Sequence, residues 1–122
     1  MKCKRCFFLY IAVALLTLVW GALALAGSAT LNWTDNSTNE SGFNIERKPG
    51  TCASTGAFAE IATVPANSTT YKDVGVTEGL IYCWRVAASN SAGKSGYSNT
   101  AELTIPFTIP AAPSLLGATP GP

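Results

Sequence analysis

Gly93-Lys94-Ser95 is the place in this chain where a phosphate could be gripped, since a lysine between a glycine and a hydroxyl closes a phosphate-binding loop. Such a loop also needs a glycine five positions before the Gly-Lys pair, and a helix after it whose first N–H groups face the phosphate. Ala88 occupies the glycine position, and Gly96-Tyr-Ser-Asn-Thr-Ala-Glu-Leu-Thr104 shows no helical apolar period. The three residues therefore read as a turn, with Lys94 a solvated turn side chain.

Catalysis needs a base, a nucleophile or a metal set, and no such grouping is legible. The chain has no histidine, so a serine nucleophile would lack its proton acceptor. The carboxylates Asp35, Glu40, Glu46, Glu60, Asp73, Glu78 and Glu102 are spread over expected loops and outward strand positions, without a basic or metal-binding companion. Asp35 and Glu40 offer the hard oxygens that calcium takes, but calcium wants about six to eight of them. A loop of Asp, Asn and Ser more often bonds its own backbone. The sequence predicts a non-enzyme with no cofactor, no metal site and no small-molecule substrate.

Any such residue is placed by the elements around it. With 122 residues the chain has room for one domain. Lys2, Lys4 and Arg5 precede an uncharged apolar run from Phe7 to Ala26 that closes on Ala24-Leu25-Ala26. A basic start, apolar middle and small-residue end predict a signal peptide over residues 1–26, cut after Ala26. About 20 apolar residues also span a bilayer, so an uncleaved membrane anchor is the alternative. Removing residues 1–26 takes three of the eight basic residues and none of the acidic ones, leaving five against seven, a net charge of −2. Nucleic acid, which requires a basic face, is not expected as a partner. Charged residues make up 12% of the chain, against roughly 25% in ordinary soluble domains. Ser, Thr, Asn and Gly supply the polarity instead, as in exported β-proteins rich in turns.

Along the expected mature chain the apolar period is two. Ala29 to Thr34 alternates with Leu31 and Trp33 on one face, and Asp35 to Gly42 is a polar turn cluster. Phe43 to Lys48 turns Phe43 and Ile45 inward before Pro49-Gly50 stops it, and shorter strands follow over Phe58 to Val64 and Thr69 to Asp73, the latter around Tyr71. Tyr82, Trp84, Val86 and Ala88 give the clearest alternation. Asn90 to Ser95 is then a turn, and a last strand runs from about Gly96 to Ile105. Short strands at this spacing, with no helix, predict an all-β sandwich of two antiparallel sheets. Its core would be Leu31, Trp33, Phe43, Ile45, Tyr71, Tyr82, Trp84 and Val86, and Phe58 also falls on an inward position. Cys3 and Cys6 lie ahead of the apolar run. Cys52 and Cys83 remain in the mature chain, and an even pair in an exported domain predicts a disulfide. Cys83 faces outward on its strand, and the Pro49 to Ala57 loop carrying Cys52 can fold over that face.

The segments L-N-W-T-D-N-S, E-S-G-F-N-I-E-R-K, I-A-T-V-P-A-N-S-T-T-Y-K-D and Y-C-W-R-V-A-A-S-N-S-A-G-K-S-G-Y-S-N, in this order, resemble the fibronectin type III domain, especially its bacterial members, over residues 29–105. The resemblance implies an immunoglobulin-like sandwich that binds, spaces or adheres. It makes Trp33 the core tryptophan of strand B and Tyr82 the tyrosine of the corner between strands E and F. The chain departs from the family at the front. A fibronectin type III domain opens with a Pro-rich strand A, yet after cleavage only Gly27 and Ser28 precede Ala29. A segment of that character stands at the back, where Ile109 to Thr119 resembles the start of a strand A.

The expected organisation is thus a signal peptide (1–26), a fibronectin type III-like domain (27–105) and a Pro/Gly-rich tail (106–122). The domain is expected to be secreted, periplasmic or on the cell surface, with a protein partner or another copy of itself. Family analogy places a binding loop at Asn90, Ser91, Ala92, Gly93, Lys94 and Ser95. Pro113, Leu115 and Leu116 in the tail are candidates for a donor strand that either folds back or enters a neighbour. Carbohydrate binding is the alternative, and only Tyr97 and Phe107 are expected to be exposed as stacking platforms. Asn32, Asn36, Asn39 and Asn67 each begin an N-x-Ser/Thr sequon.

Overall fold

The alternating segments become seven strands in a computed structural model that describes residues 24–122: β1 (Ala26–Asn32), β2 (Gly42–Pro49), β3 (Ala59–Pro65), β4 (Thr70–Thr77), β5 (Ile81–Asn90), β6 (Gly93–Lys94) and β7 (Ala101–Thr104). The greater part of the expected signal peptide lies outside the described residues. Among the described residues no helix is long and apolar enough to cross a membrane. β1 pairs antiparallel with β4 in one sheet, and the other sheet runs β3-β2-β5-β6, with β7 also against β5.

Register decides which side chains meet. Phe43, Ile45 and Arg47 stand opposite Ala88, Val86 and Trp84, so all six share the face that looks toward the β1-β4 sheet. Ala29, Val76, Tyr82, Trp84 and Ile105 form the central cluster, with Leu31 and Ile61 packed on its rim, and Phe43 and Ile45 are buried beside them. Trp33, expected inside strand B, falls one residue beyond β1 and is half-buried, its ring 5.5 Å from that of Phe43. Tyr71 and Val86 are also only half-buried. Phe58 lies on the opposite face of the large sheet, where its ring takes Arg85 and Lys48. The alternation of β3 is broken by a bulge opposite Ile45/Glu46, which turns Ile61 inward and leaves Phe58 before the strand. Tyr82 closes the β4-β5 turn, its hydroxyl accepting the Thr77 N–H at 3.1 Å.

The two sheets are also tied by charge. Asp73 on β4 is 2% exposed. Its carboxylate accepts from Arg47 Nη1 at 2.8 and 2.9 Å, from Trp84 Nε1 at 2.9 Å and from the Gly75 N–H at 2.9 Å. Burial works to raise the Asp73 pKa, but the hydrogen bonds from Trp84, Arg47 and Gly75 and the Arg47 charge outweigh it and hold the carboxyl below its ordinary value.

Of the expected last strand, Gly96 to Ile105, only Ala101–Thr104 is strand (β7), and the expected turn from Asn90 to Ser95 contains the two-residue strand β6. Between them, Ser95 and Ser98 donate their backbone N–H groups to the carbonyls of Ala88 and Val86 at 2.8 Å each. Their hydroxyls accept the N–H groups of the same two residues at 2.9 and 3.0 Å. Each serine thus replaces a missing backbone carbonyl with its own Oγ, so the chain can bulge and still satisfy the β5 edge.

Candidate functional site

Three surfaces carry side chains that the scaffold leaves accessible. The first is the loop end. The β5-β6 turn passes through Ser91 and Ala92, with Gly93 at φ +136°, and it is cross-braced to the Asp35–Ser41 loop. Asn90 Nδ2 donates to the Asn39 carbonyl at 3.0 Å, and the Ser41 N–H donates to the Ser89 carbonyl at 2.7 Å. Asp35 and Glu40 close on their own loop. Ser37 Oγ lies 2.7 Å from Glu40 Oε2 and 3.1 Å from Asp35 Oδ1, and its hydrogen bond leads the causes that lower the Glu40 pKa. An open hollow of ≈ 280 Å³ lies between the two loops, with Glu40, Asn90, Lys94 and Ser95 in its lining. Of the candidate set, Asn90, Ala92, Gly93, Lys94 and Ser95 line this hollow, and Ser91 does not. Lys94 is not a free turn residue: its Nζ is 3.0 Å from Glu60 Oε2, which raises its pKa.

The second surface is the outer face of the large sheet, where Asn44, Glu46 and Lys48 stand opposite Ala87, Arg85 and Cys83. The Arg85 guanidinium lies 3.5 Å from the centre of the Tyr97 ring and 4.1 Å from that of Phe58, while its Nε reaches Glu46 Oε2 at 2.6 Å. Tyr97 OH donates to the other Glu46 oxygen at 3.1 Å. Lys48, 3% exposed, donates to the carbonyls of Cys52 and Ser54 at 2.9 and 2.5 Å. This pins the β2-β3 loop over the sheet and delivers Cys52 to Cys83, to which it is disulfide-bonded across 31 residues of sequence. The loop covers Cys83 completely. The carboxylates expected to lack basic companions thus have them: Asp73 with Arg47, Glu46 with Arg85, Glu60 with Lys94. Sequence spacing could not show this, because each pair joins residues 26 to 39 apart.

The third surface is the free side of β1. A cleft of ≈ 650 Å³ opens there between the sheets, lined by Leu31, Trp33, Trp84, Val86 and Ala101 among others. Tail residues Ile109, Leu115 and Leu116 are 88–100% exposed, and residues 105–122 contain no strand. Pro113, Leu115 and Leu116 therefore do not pair with their own domain in this structure.

No protein-family model matches the sequence. In shape, the chain is similar to part of a twitchin kinase region from C. elegans, with TM-score 0.55 and 23% identity over 68% of this chain, which spans 15% of that larger protein. It is similar also to a human fibronectin type III domain from fibronectin type III domain containing protein 3, with TM-score 0.53 and 23% identity over 70% of this chain and 80% of that one. A second human fibronectin type III domain matches at TM-score 0.51 and 18% identity, over 82% of this chain and 81% of that one. The strands, the two antiparallel sheets and these neighbours agree on one conclusion: the chain has a fibronectin type III-like fold.

Proposed function

We propose that this chain is exported and acts outside the cytoplasm as a non-catalytic binding or structural module that contacts protein. The observation that carries this is where its reactive groups are committed. Asp73 serves Arg47 and Trp84, Glu46 serves Arg85 and Tyr97, Glu60 serves Lys94 and Asn44, and Glu40 serves Ser37. These groups hold sheets and loops together, and the Ser37–Glu40 contact closes a turn within its own loop. The Cys52–Cys83 bond supports an oxidising compartment. Surfaces left for contact are the loop rim at Asn90–Ser95 and the free side of β1. A sugar platform is less well supported, because Tyr97 gives one ring face to Arg85.

The test is the intact mass of protein recovered from each compartment after expression with its own N-terminal segment. A chain beginning at Gly27, two hydrogens lighter than its reduced form and found outside the cytoplasm, is the expected result. Full-length protein in membranes would establish the anchored alternative. Two titratable thiols in a cytoplasmic product would overturn the reading, and retention on immobilised polysaccharides would replace protein with carbohydrate as the ligand.

A further inference from the structure

We propose that the free edge of β1 is a strand-binding site and that its occupant is the tail of a second copy of this chain, residues Pro110–Thr119. This rests on reading the chain as a protein-contacting module. The backbone bonds fix the geometry of the edge. The Trp33 N–H donates to the Thr69 carbonyl at 3.0 Å, and Leu31 and Ala29 stand opposite Tyr71 and Asp73 in the same register. Odd-numbered residues of β1 therefore face β4, and alternation turns the N–H and C=O groups of Ser28, Thr30 and Asn32 the other way. Among the described residues no strand pairs with that side. Above it lies the cleft, where half-buried Leu31, Trp33 and Val86 stand among polar residues that include Thr30, Asn32, Ser98 and Asn99, so an added strand would meet an unpaired backbone ladder and a few partly uncovered apolar side chains. The tail has the complementary character: prolines at 110 and 113 hold it extended, and its two adjacent leucines are solvent-exposed.

Chain direction selects a second molecule over fold-back. The chain leaves the domain at the end where β1 begins. Ile105 exchanges bonds with Leu80 and Gly79 and its side chain abuts Gly27. Thr108 donates to Glu78, and the Phe107 ring fills the space a side chain would take at Gly79, which sits at φ +79°. A tail running on from this point along β1 travels in the same direction as β1 and can add only as a parallel strand. To run antiparallel it must first cover the length of β1, about 23 Å for seven residues, and then reverse. Ten residues reach at most about 33–36 Å, so after the outward run only about three remain, too few for both a reversal and a returning strand. A second molecule's tail has no such constraint. It enters beside Asn32 and runs antiparallel, the more stable pairing. Each molecule then gives its tail from one end and receives at the other, a head-to-tail contact that does not close. Since strand side chains alternate, one of Leu115 and Leu116 enters the cleft and the other faces outward.

Sedimentation of two full-length variants tests this. Leu115→Asp/Leu116→Asp removes the donor at exposed positions, and Thr30→Pro removes an outward N–H of the acceptor while leaving the β4 bonds. The exported wild-type chain should form concentration-dependent, open-ended assemblies, each variant should be a folded monomer by circular dichroism, and an equimolar mixture should give a 1:1 dimer. A wild-type monomer at all concentrations, or assemblies that survive the double Asp change, would overturn the proposal. A wild-type monomer that loses stability on the Asp changes would assign the tail to fold-back, overturning it equally. If Thr30→Pro fails to fold, the double Asp variant still decides. Export and disulfide state do not depend on the tail, so a monomeric, exported, oxidised chain would remove this inference and leave the module reading intact.

Discussion

Replacing Asp73 by Ala should cost about 3–5 kcal/mol, the range for breaking a buried pair by removing one partner. Three donors lose their acceptor at once: the Arg47 guanidinium, Trp84 Nε1 and the Gly75 N–H. Arg47 is 22% exposed at its side chain and can recover some hydration. Trp84, at 2%, cannot without opening the core. A buried donor left unmatched costs about 1–3 kcal/mol, so Trp84 should carry much of the loss. Because a domain holds only about 5–15 kcal/mol in total, Asp73→Asn, which keeps shape and one acceptor oxygen and should cost about half as much, is the companion variant. Urea unfolding followed by tryptophan fluorescence, with linear extrapolation to water, reads both. The pH dependence has a definite sign. The folded Asp73 carboxyl titrates below its ordinary value, so as pH falls the unfolded chain takes up the proton first. Its contribution is therefore complete above the unfolded value of about 3.9 and is lost as pH drops through the lower folded value. Asp73→Asn should flatten the wild-type loss of stability below about pH 4. A cost under about 1 kcal/mol for Asp73→Ala, or additive costs in an Arg47→Met/Asp73→Ala cycle, would refute the coupling described here.

Three further outcomes are expected. Thiol titration of the native exported protein should find no free Cys52 or Cys83, and Cys52→Ser/Cys83→Ser should cost about 3–4 kcal/mol, the chain-entropy value for a loop of this size. Trp84→Ala should cost about 3–5 kcal/mol and half-buried Trp33→Ala about 1.5–3 kcal/mol, while Lys94→Ala, whose ion pair is exposed on both sides, should leave the unfolding midpoint unchanged; an order reversed between the two tryptophans in the same unfolding assay would place the core elsewhere. Ser95→Ala and Ser98→Ala should each cost about 1 kcal/mol and speed amide exchange at Ala88 and Val86 in hydrogen-exchange measurements, whereas unchanged exchange would mean the hydroxyls do not cap that edge.

Local pattern alone determined much of this protein. Period-two alternation placed Tyr82 and Trp84 inward and Cys83 outward, turn residues separated the strands, and the ordered motifs pointed to a fibronectin type III-like sandwich. These are properties of neighbours in sequence, because a strand's two faces follow from its backbone geometry. Tertiary structure decided what depends on register and on distance across the fold. The bulge in β3 moved Phe58 to the outer face and Ile61 to the inner one, which no alternation count detects. Ile105 and Val76 entered the central cluster because the β4-β5 turn and the end of β7 close over one end of the sandwich. Arg47 and Asp73 each sit at an inward position, where charge alone would argue for exposure, and only pairing across the two sheets makes that burial tolerable. The direction in which the tail leaves, beside the start of β1, likewise follows from how β7 lies against β5, since a sequence fixes the order of its strands but not the end of the sandwich at which each one finishes.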